Sequence, residues 1–319
     1  MRKLLLAFIA AFAALAGADA AAQAFPAKSV RLTVPYAPGG GTDILARLFA
    51  QKLTEKWGQS VFVENRPGAD GIIGSEVIAQ SPPDGYNVML VVAAHVINPS
   101  LKSKMPFDVI KDFTPITQVA FSPWVVVVNP SVPANSVKEL IALAKAKPGQ
   151  LSFGSSEPSS RLAGEQFKAM SDTNLLHVPY KGGSQIMTDM LGGHVQVGFT
   201  SVLTVLQHYK TGKLRVLGVS GTVRSPNMPD IPTVPEAGLP GYEPVAWYGL
   251  YGPKGMPREL TTKIQKDIAA IAATPEVKDR LVELGALPVA NAPEEFEKFT
   301  LAEHARFAKL IRDAGIKAD

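Results

Sequence analysis

The sequence predicts an α/β protein of two lobes, with mainly parallel sheets, flanking helices and a hinge between the lobes. Two observations favour this fold class. Apolar, β-branched runs alternate with amphipathic helical segments along most of the chain, and a compact block of the same alternation, residues 123–222, interrupts its middle. We therefore assign residues 25–122 and 223–319 to lobe 1 and residues 123–222 to lobe 2. The chain crosses twice between the lobes, and two crossings create a cleft.

The first 24 residues are typical of a secretory signal peptide. A basic start precedes an apolar run, residues 4–15, and a small-x-small pattern at residues 22–24 provides the cleavage site. Cleavage after Ala20 is an alternative. The apolar run is shorter than the roughly 20 residues that a spanning helix needs, so an uncleaved anchor is the weaker interpretation. We expect an exported protein.

The composition argues against several classes of function. Removing residues 1–24 leaves 295 of the 319 residues, and the loss of Arg2, Lys3 and Asp19 lowers the formal net charge from +4 to +3. No dense basic block is interleaved with aromatic residues, so nucleic-acid binding is not expected. The absence of cysteine excludes thiol catalysis and cysteine metal sites. None of the five histidines has a metal-ligand spacing, so we expect neither a metal nor a cofactor.

Lobe 1 begins with alternating strands and helices. Residues 30–36 are predicted to form a buried strand, and residues 42–56 a helix whose apolar side chains share one face. These side chains are Ile44, Leu45, Leu48, Phe49 and Leu53, and Gly58 ends the helix. A strand at 60–64, a short helix at 72–79 and an apolar strand at 86–92 follow.

The pattern changes near residue 113, where two successive strands, 114–120 and 124–128, are predicted. Ser136 and Glu139 form a capping box at the start of a helix, residues 137–146. The rest of the block alternates strands at 151–153, 175–179, 195–199 and 214–219 with helices at 160–171, 184–191 and 202–210.

The chain returns to lobe 1 through a loop rich in proline and glycine, residues 222–243. A β-branched and aromatic strand follows at 245–251, and Pro257 opens a helix because proline suits the first helical turn. The closing helices are predicted at 258–272, 275–284 and 294–312, with Gly285 and Gly315 as stops.

A glycine-rich turn, residues 34–43, is the first candidate binding element. A strand ends there and a helix begins, so unpaired N–H groups and the helix dipole favour an anion. Gly39, Gly40 and Gly41 allow close approach to the backbone, and Thr42 or Asp43 can cap the helix. The dinucleotide and P-loop fingerprints are both absent. A turn and cap without a ligand is the alternative.

A serine-rich turn, residues 151–161, repeats this design in lobe 2. Ser155, Ser156, Ser159 and Ser160 offer donors at a helix start, and Arg161 adds a cation. No Gly-x-Ser-x-Gly occurs and no histidine has an evident partner, which argues against a serine hydrolase.

Further turns of the same kind are predicted at 67–71, 179–184 and 198–201. Ligands of open α/β sheets bind beyond the carboxyl ends of the strands, where all these turns lie. Asp70, Asp108 and Glu157 also fall near turns, and we interpret each as a solvated loop charge.

Eight stretches of the chain resemble the Bug family, the solute receptors of tripartite tricarboxylate transporters. They are Val-Pro-Tyr-Ala-Pro-Gly-Gly-Gly-Thr-Asp (34–43), Val-Glu-Asn-Arg-Pro-Gly-Ala (63–69), Pro-Pro-Asp-Gly-Tyr (82–86), Ile-Asn-Pro-Ser-Leu (97–101), Lys-Asp-Phe-Thr-Pro-Ile-Thr (111–117), His-Val-Pro-Tyr-Lys-Gly (177–182), Pro-Thr-Val-Pro-Glu-Ala-Gly-Leu-Pro-Gly-Tyr (232–242) and Ala-Gly-Ile-Lys (314–317). The resemblance implies a two-lobed fold like that of type II periplasmic binding proteins. It also implies a periplasmic, non-enzymatic receptor that closes on a ligand carboxylate through backbone amides, hydroxyls and ordered waters.

The resemblance also implies which residues bind the ligand. The matching positions are Tyr36, Gly39, Gly40, Thr42 and Asp43 in the first loop, Ser155, Ser156, Ser159, Tyr180, Lys181 and Gly182 in lobe 2, and Ala94 and His95 in a cleft-lining loop. The implied partners are a small carboxylate, the membrane permease subunits of the transporter and, as a second class, a sensor kinase. We expect a monomer.

Two departures from the family pattern bear on the ligand. The serine-rich loop carries less glycine than is usual in the family and ends in Arg161, and Thr200 stands where the family often has an aspartate. Both changes make the distal pocket less negative, so we expect an anionic or dicarboxylate ligand and not an amine-bearing amino acid. The candidate solutes are di- and tricarboxylates and aromatic carboxylates. The alternative is that Arg161 faces solvent.

Two other functions remain open: an exported hydrolase that uses the Ser155–Ser160 loop, and a ligand sensor for a membrane kinase without a role in transport.

Overall fold

The computed structural model describes residues 25–313. The predicted signal peptide, residues 1–24, and the helix stop at Gly315 therefore lie outside the described residues. Within residues 25–313, no helix combines the length and the apolar character that crossing a membrane requires. The predicted α/β class is observed, with strands and helices alternating along this part of the chain.

The first sheet is built around β1, Val30–Val34, which is almost fully buried. Strands β2 (Val61–Asn65) and β3 (Asn87–Val91) pair with β1 in parallel on either side. Beyond β3, the antiparallel β9 (Val245–Pro253) leads to β4 (Phe113–Val128). The flanking helices are α1 (Gly41–Trp57), α2 (Ile72–Ala79), α3 (Ala94–Leu101), α8 (Arg258–Ala272), α9 (Pro275–Leu284) and α10 (Pro293–Asp313).

Strand β4 is a single 16-residue strand that belongs to both sheets. The prediction of two separate strands at 114–120 and 124–128 is therefore wrong. Residues 121–123 stay extended because β9 pairs with them, up to the pair of Pro123 with Val245. Register shifts occur along the β9 pairing and again between Val126 and Val127. The first half of β4 also pairs with the short β10, Leu287–Pro288.

The second sheet surrounds the other half of β4. Strand β7 (Val197–Ser201) and strand β8 (Arg215–Val219) both pair with β4 in antiparallel fashion. Strand β5 (Ser152–Ser155) is parallel to β7 and to β6 (Leu176–Pro179). The helices around this sheet are α4 (Val137–Ala146), α5 (Pro158–Ser171), α6 (Gly183–Leu191) and α7 (Val202–Lys210). Parallel pairing thus joins β1 to β2 and β3 in the first sheet and β5 to β6 and β7 in the second, and the pairs made by β4 and β9 are antiparallel.

Most predicted elements are observed close to their predicted bounds. Five helices have the same bounds as predicted, at 72–79, 137–146, 202–210, 258–272 and 275–284. The Ser136 hydroxyl caps α4 by accepting from the Glu139 N–H at 3.1 Å. Helix α3 was not predicted, because an asparagine followed by a proline, here Asn98 and Pro99, is typical of a turn or loop. It forms although Pro99 lies inside it and cannot donate a backbone hydrogen bond, because most of its residues are buried against the core.

Candidate functional site

Five loops that follow the carboxyl ends of β1, β3, β5, β6 and β7 open into one cleft between the two sheets. Helices α1, α5, α6 and α7 begin at its walls, so four helix N-termini converge on one cavity. The cavity volume is about 100 Å³, which suits a small organic molecule. Trp124 from β4, the strand shared by both sheets, and Tyr248 from its neighbour β9 line the aromatic side of the cavity.

The start of α1 is open to the cleft. Its N-cap is Gly40, and no side chain caps the helix. The first hydrogen bond of the helix joins Ile44 N to Gly40 O at 3.0 Å, so the N–H groups of Gly41 and Thr42 have no acceptor inside the helix. Both residues line the cleft. A Cβ on Gly41 would lie 2.6 Å from the Tyr248 hydroxyl, so glycine is required there for close packing.

Asp43 holds this loop in place from behind. Its carboxylate accepts hydrogen bonds from Gly39 N, from the Asn65 amide and from two nitrogens of Arg47, each at 3.0 Å. The same Asn65 amide donates to Tyr36 O at 3.1 Å. Burial alone would raise the pKa of Asp43, but the hydrogen bonds from Arg47, Gly39 and Asn65 lower it overall. Asp43 is therefore an ionised support of the loop, and neither it nor Thr42 is the N-cap.

At the start of α5, a carboxylate of the protein itself accepts hydrogen bonds from the first N–H groups of the helix. Glu157 is the N-cap, and its side chain accepts from Ser159 N at 2.7 Å and from Ser160 N at 2.9 Å. The Ser159 hydroxyl donates to the same carboxylate. The interpretation of Glu157 as a solvated loop charge is therefore wrong, because Pro158 at the first helical position places it at the cap.

The charge of Glu157 lies within the cleft. Burial raises the pKa of the Glu157 carboxyl, and its hydrogen bonds with Ser159 and Ser160 oppose that rise. Burial and, second, the negative charge of Glu157 raise the pKa of Tyr36, on the opposite wall. Burial raises the pKa of Tyr248 to about 12, and Glu157 again contributes. Glu157, Tyr36 and Tyr248 all line this cleft.

The start of α6 faces the α1 loop directly. Gly182 is its N-cap, without a side-chain cap, and Lys181, Gly182 and Gly183 line the cleft. A Cβ on Gly182 would lie 2.5 Å from the Ala37 Cβ, and one on Gly39 would lie 3.8 Å from the Ser184 Cβ. The two glycine turns thus touch across the cleft and close this side of it.

Strands β4 and β7 complete the wall. Ser201 and Thr204 share a hydrogen bond between their hydroxyls at 3.0 Å, and the Tyr248 hydroxyl donates to Ser201 at 3.3 Å. Trp124 is only 5% exposed, and its indole N–H has no hydrogen-bond partner within residues 25–313. Buried indole N–H groups usually have an acceptor, so this donor is a candidate contact for a ligand.

The structure brings eight of the predicted site residues to the cleft. They are Tyr36, Gly40, Thr42, Ser156, Ser159, Lys181, Gly182 and Thr200. Gly39 and Asp43 lie just outside, where they shape the α1 loop. Ala94 and His95 belong to α3 and are buried away from the cleft. The remaining three, Ser155, Arg161 and Tyr180, line a different cavity.

This second cavity, of about 130 Å³, lies on the other side of the serine-rich loop. Ser156 and Glu157 border both cavities. The Ser155 hydroxyl lies 2.6 Å from His177 Nε2, so a histidine does have a serine partner here. Arg161 lines this cavity and not the main cleft. The hypothesis that Arg161 reduces the negative charge of the distal pocket is therefore not supported by its position.

His95 packs in an aromatic cluster of the first sheet. Its ring lies 4.8 Å from that of Phe113 and 5.0 Å from that of Tyr251. Burial lowers the pKa of His95 to about 3, so the ring is neutral in the folded protein. This residue contributes to the core and does not line the cleft.

Sequence reasoning missed several residues that line the cleft. Glu157 had a local signal, since it directly precedes a proline at a helix start. Ser201 had one as well, since it ends the turn predicted at 198–201. Trp124 and Tyr248 had none, because strand pairing brings them to the cavity from distant parts of the chain, and Thr204 had none because it lies within a helix.

Comparison with known proteins agrees with this architecture. Residues 45–316 match the model of the tripartite tricarboxylate transporter family receptor. The protein BugT of Bordetella pertussis is 34% identical over 98% of this chain and 98% of its own length.

Two solved structures superpose closely on this fold. A structure of R. palustris Rpa4515 with adipate has a TM-score of 0.90 at 34% identity, covering 92% of this chain and 100% of that one. The periplasmic binding protein BugD has a TM-score of 0.88 at 32% identity, with 92% and 100% coverage. The predicted likeness to periplasmic binding proteins is thereby confirmed. The chain belongs to the Bug family of tripartite tricarboxylate transporter receptors, which are periplasmic solute-binding proteins.

Proposed function

We propose that this protein captures a small carboxylate-bearing solute, such as a di- or tricarboxylate or an aromatic carboxylate, in the cleft between its two sheets. The observation that carries the proposal is the pair of uncapped helix starts, α1 at Gly40 and α6 at Gly182, which face each other across the cavity. Helix N-termini favour anions, and two of them at one point favour a carboxylate. The relative solved with adipate supports this class of ligand.

The binding energy comes from several donors acting together. Capture with micromolar to nanomolar affinity requires about −8 to −12 kcal/mol. One helix terminus contributes about 0.3–1 kcal/mol when exposed and up to about 2 when partly buried. Hydrogen bonds to a charged group contribute about 1.5–3 kcal/mol each. Capture therefore needs several donors at once, and the open N–H groups of α1 and α6 and the Trp124 indole provide them.

Hinge closure is the second part of the proposal. The moving bodies are residues 25–122 with 223–319 and residues 123–222. The contact between Gly182 and Ala37 joins the two loops only when the cleft is closed, so a solute that bridges them favours the closed state.

The closed receptor then delivers its solute to the membrane permease of a tripartite tricarboxylate transporter. A role as a ligand sensor for a membrane kinase is the alternative, and deleting the permease genes distinguishes the two.

The experiment is native mass spectrometry of the purified protein, followed by calorimetry with the carboxylates so identified and a panel of short-chain acids. We expect at least one carboxylate to bind with a dissociation constant in the micromolar range or below. Arg161→Ala serves as a control outside the cleft and should leave that affinity unchanged. If no carboxylate binds, the proposal is wrong.

A hydrolase is a second candidate because the Ser155 hydroxyl and His177 lie within hydrogen-bond distance. Serine hydrolases use such a pair, although this serine is 5% exposed and has no nucleophile-elbow sequence around it. Incubation with ester and amide panels tests it. Turnover that Ser155→Ala abolishes would favour the hydrolase over the receptor.

A further inference from the structure

Glu157 differs from every other group that lines the cleft, because it brings a negative charge to a cavity walled by helix N-termini. Helices α1 and α6 leave their first N–H groups open, whereas α5 directs its own at the Glu157 carboxylate. The start of α5 is therefore already occupied by an anion that belongs to the protein. A ligand carboxylate can therefore accept hydrogen bonds from the N–H groups at the starts of α1 and α6 but not from those at the start of α5.

The carboxylate of Glu157 retains capacity to accept one more hydrogen bond. A carboxylate offers about four acceptor positions. Oxygen Oε2 accepts from the Ser159 N–H and the Ser159 hydroxyl, and oxygen Oε1 accepts from the Ser160 N–H. The Ser160 hydroxyl donates to the backbone oxygen of Glu157 at 2.8 Å, so Oε1 has fewer donors than Oε2. Because Glu157 borders the cleft, a donor on a bound solute can hydrogen-bond to Oε1.

We propose that Glu157 determines the class of solute: a carboxylate that also carries a hydroxyl or ammonium donor, with its carboxylate between α1 and α6 and the donor against Glu157. This inference rests on the proposed function and narrows it. A second carboxylate beside Glu157 would place two like charges in a cavity of about 100 Å³, where charges are poorly screened.

This inference revises the expectation of an amine-free di- or tricarboxylate. That expectation depended on Arg161 and Thr200 making the distal pocket less negative. Arg161 lines the second cavity, and Glu157 brings a carboxylate to the main cleft. A solute with several carboxylates remains compatible only if it also presents a donor to Glu157.

The test is calorimetry with matched short-chain acids, in which an ω-hydroxy acid, an ω-amino acid and the diacid share one chain length. The wild type should bind one of the donor-bearing acids at least about tenfold more tightly than the diacid. In Glu157→Gln, the amide can donate to a second carboxylate. The preference should therefore shift toward the diacid by about tenfold or more.

Two further variants keep the test decisive. Glu157→Ser retains a good N-cap and removes the charge, so it replaces Glu157→Gln if that variant does not fold. Glu165→Gln makes the same charge change on α5 outside the cleft and should behave as wild type. If acids bind with the same ranking in wild type and both Glu157 variants, or the wild type prefers the diacid, this inference is wrong and the receptor function stands. If the wild type binds no carboxylate, the receptor function fails, and this inference fails with it.

Discussion

Gly182 and Ala37 touch across the cleft so closely that a Cβ on Gly182 would lie 2.5 Å from the Ala37 Cβ. Gly182 has a φ of −171°, an extended conformation that alanine adopts without strain. Glycine is therefore needed here for the contact between the two loops, and not for the backbone conformation.

Gly182→Ala should weaken solute binding by at least about tenfold, because the added methyl group obstructs closure of the cleft. The melting temperature of the ligand-free protein should change little. Calorimetry measures the affinity, and small-angle scattering with saturating solute shows whether the protein still becomes compact. Gly192→Ala is the matched control, because Gly192 lies at the other end of α6, outside the cleft, and has a φ of −77° that alanine adopts readily. Equal affinities for the two variants would contradict this account.

Trp124→Phe tests whether the buried indole N–H contacts the solute. The ring is largely retained and only the donor and part of the indole are lost, so folding should be little affected. We expect about a tenfold loss of affinity for the carboxylate, the size of one hydrogen bond to a charged group. Trp57→Phe is the control, because its indole donates to Asp267 far from the cleft. An unchanged affinity in Trp124→Phe would show that the solute does not use this donor.

Asp43→Asn should destabilise the protein by about 1–3 kcal/mol, because an amide cannot accept all four hydrogen bonds from Gly39, Asn65 and Arg47. Solute affinity should fall as well, since the α1 loop loses its support. Urea unfolding measures the first effect and calorimetry the second. Glu55→Gln, on the exposed face of the same helix, should cost little in either assay.

His95 should make the protein sensitive to mild acid. Its pKa is lowered from 6.5 to about 3 by burial, so the folded state keeps the ring neutral while the unfolded chain takes up a proton. The stability from this group is complete above pH 6.5 and is lost as the pH falls from 6.5 toward about 3. His95→Phe should reduce the slope of unfolding free energy against pH in this window by up to about 1.4 kcal/mol per pH unit.

The comparison for this pH effect is His194→Gln, which changes an exposed histidine. This variant should follow the wild-type curve in chemical unfolding measured across the same pH range. If His95→Phe also follows it, the buried ring is not the source of the acid sensitivity.

The fold was largely predictable from local patterns. Helix α8 shows why: its apolar residues recur at helical spacing, Pro257 marks its start, and its bounds are observed as predicted. Strand β4 shows the limit, because Ser122 and Pro123 suggest a break that pairing with β9 removes. Tertiary pairing can override a local signal in this way.

The candidate site was predictable where glycine and serine turns end a strand and begin a helix, as at Gly40 and Gly182. The site was less predictable where the location of a side chain depends on the tertiary structure. The sequence suggests a solvated charge at Glu157 because it does not show that this carboxylate caps a helix at the wall of the cleft. Arg161 was placed in the cleft because its distance along the chain from Ser156 does not show which side of the loop it occupies.

The shared strand β4 has a consequence for anyone who converts this receptor into a fluorescent biosensor. A reporter domain inserted within Phe113–Val128 would interrupt both sheets at once, so neither half would remain as a framework for the signal. The turns at Gly221 and Gly255 have open space around them and lie just beyond β8 and β9. A reporter placed in either turn keeps the strand intact and still lies beside an element that pairs with it.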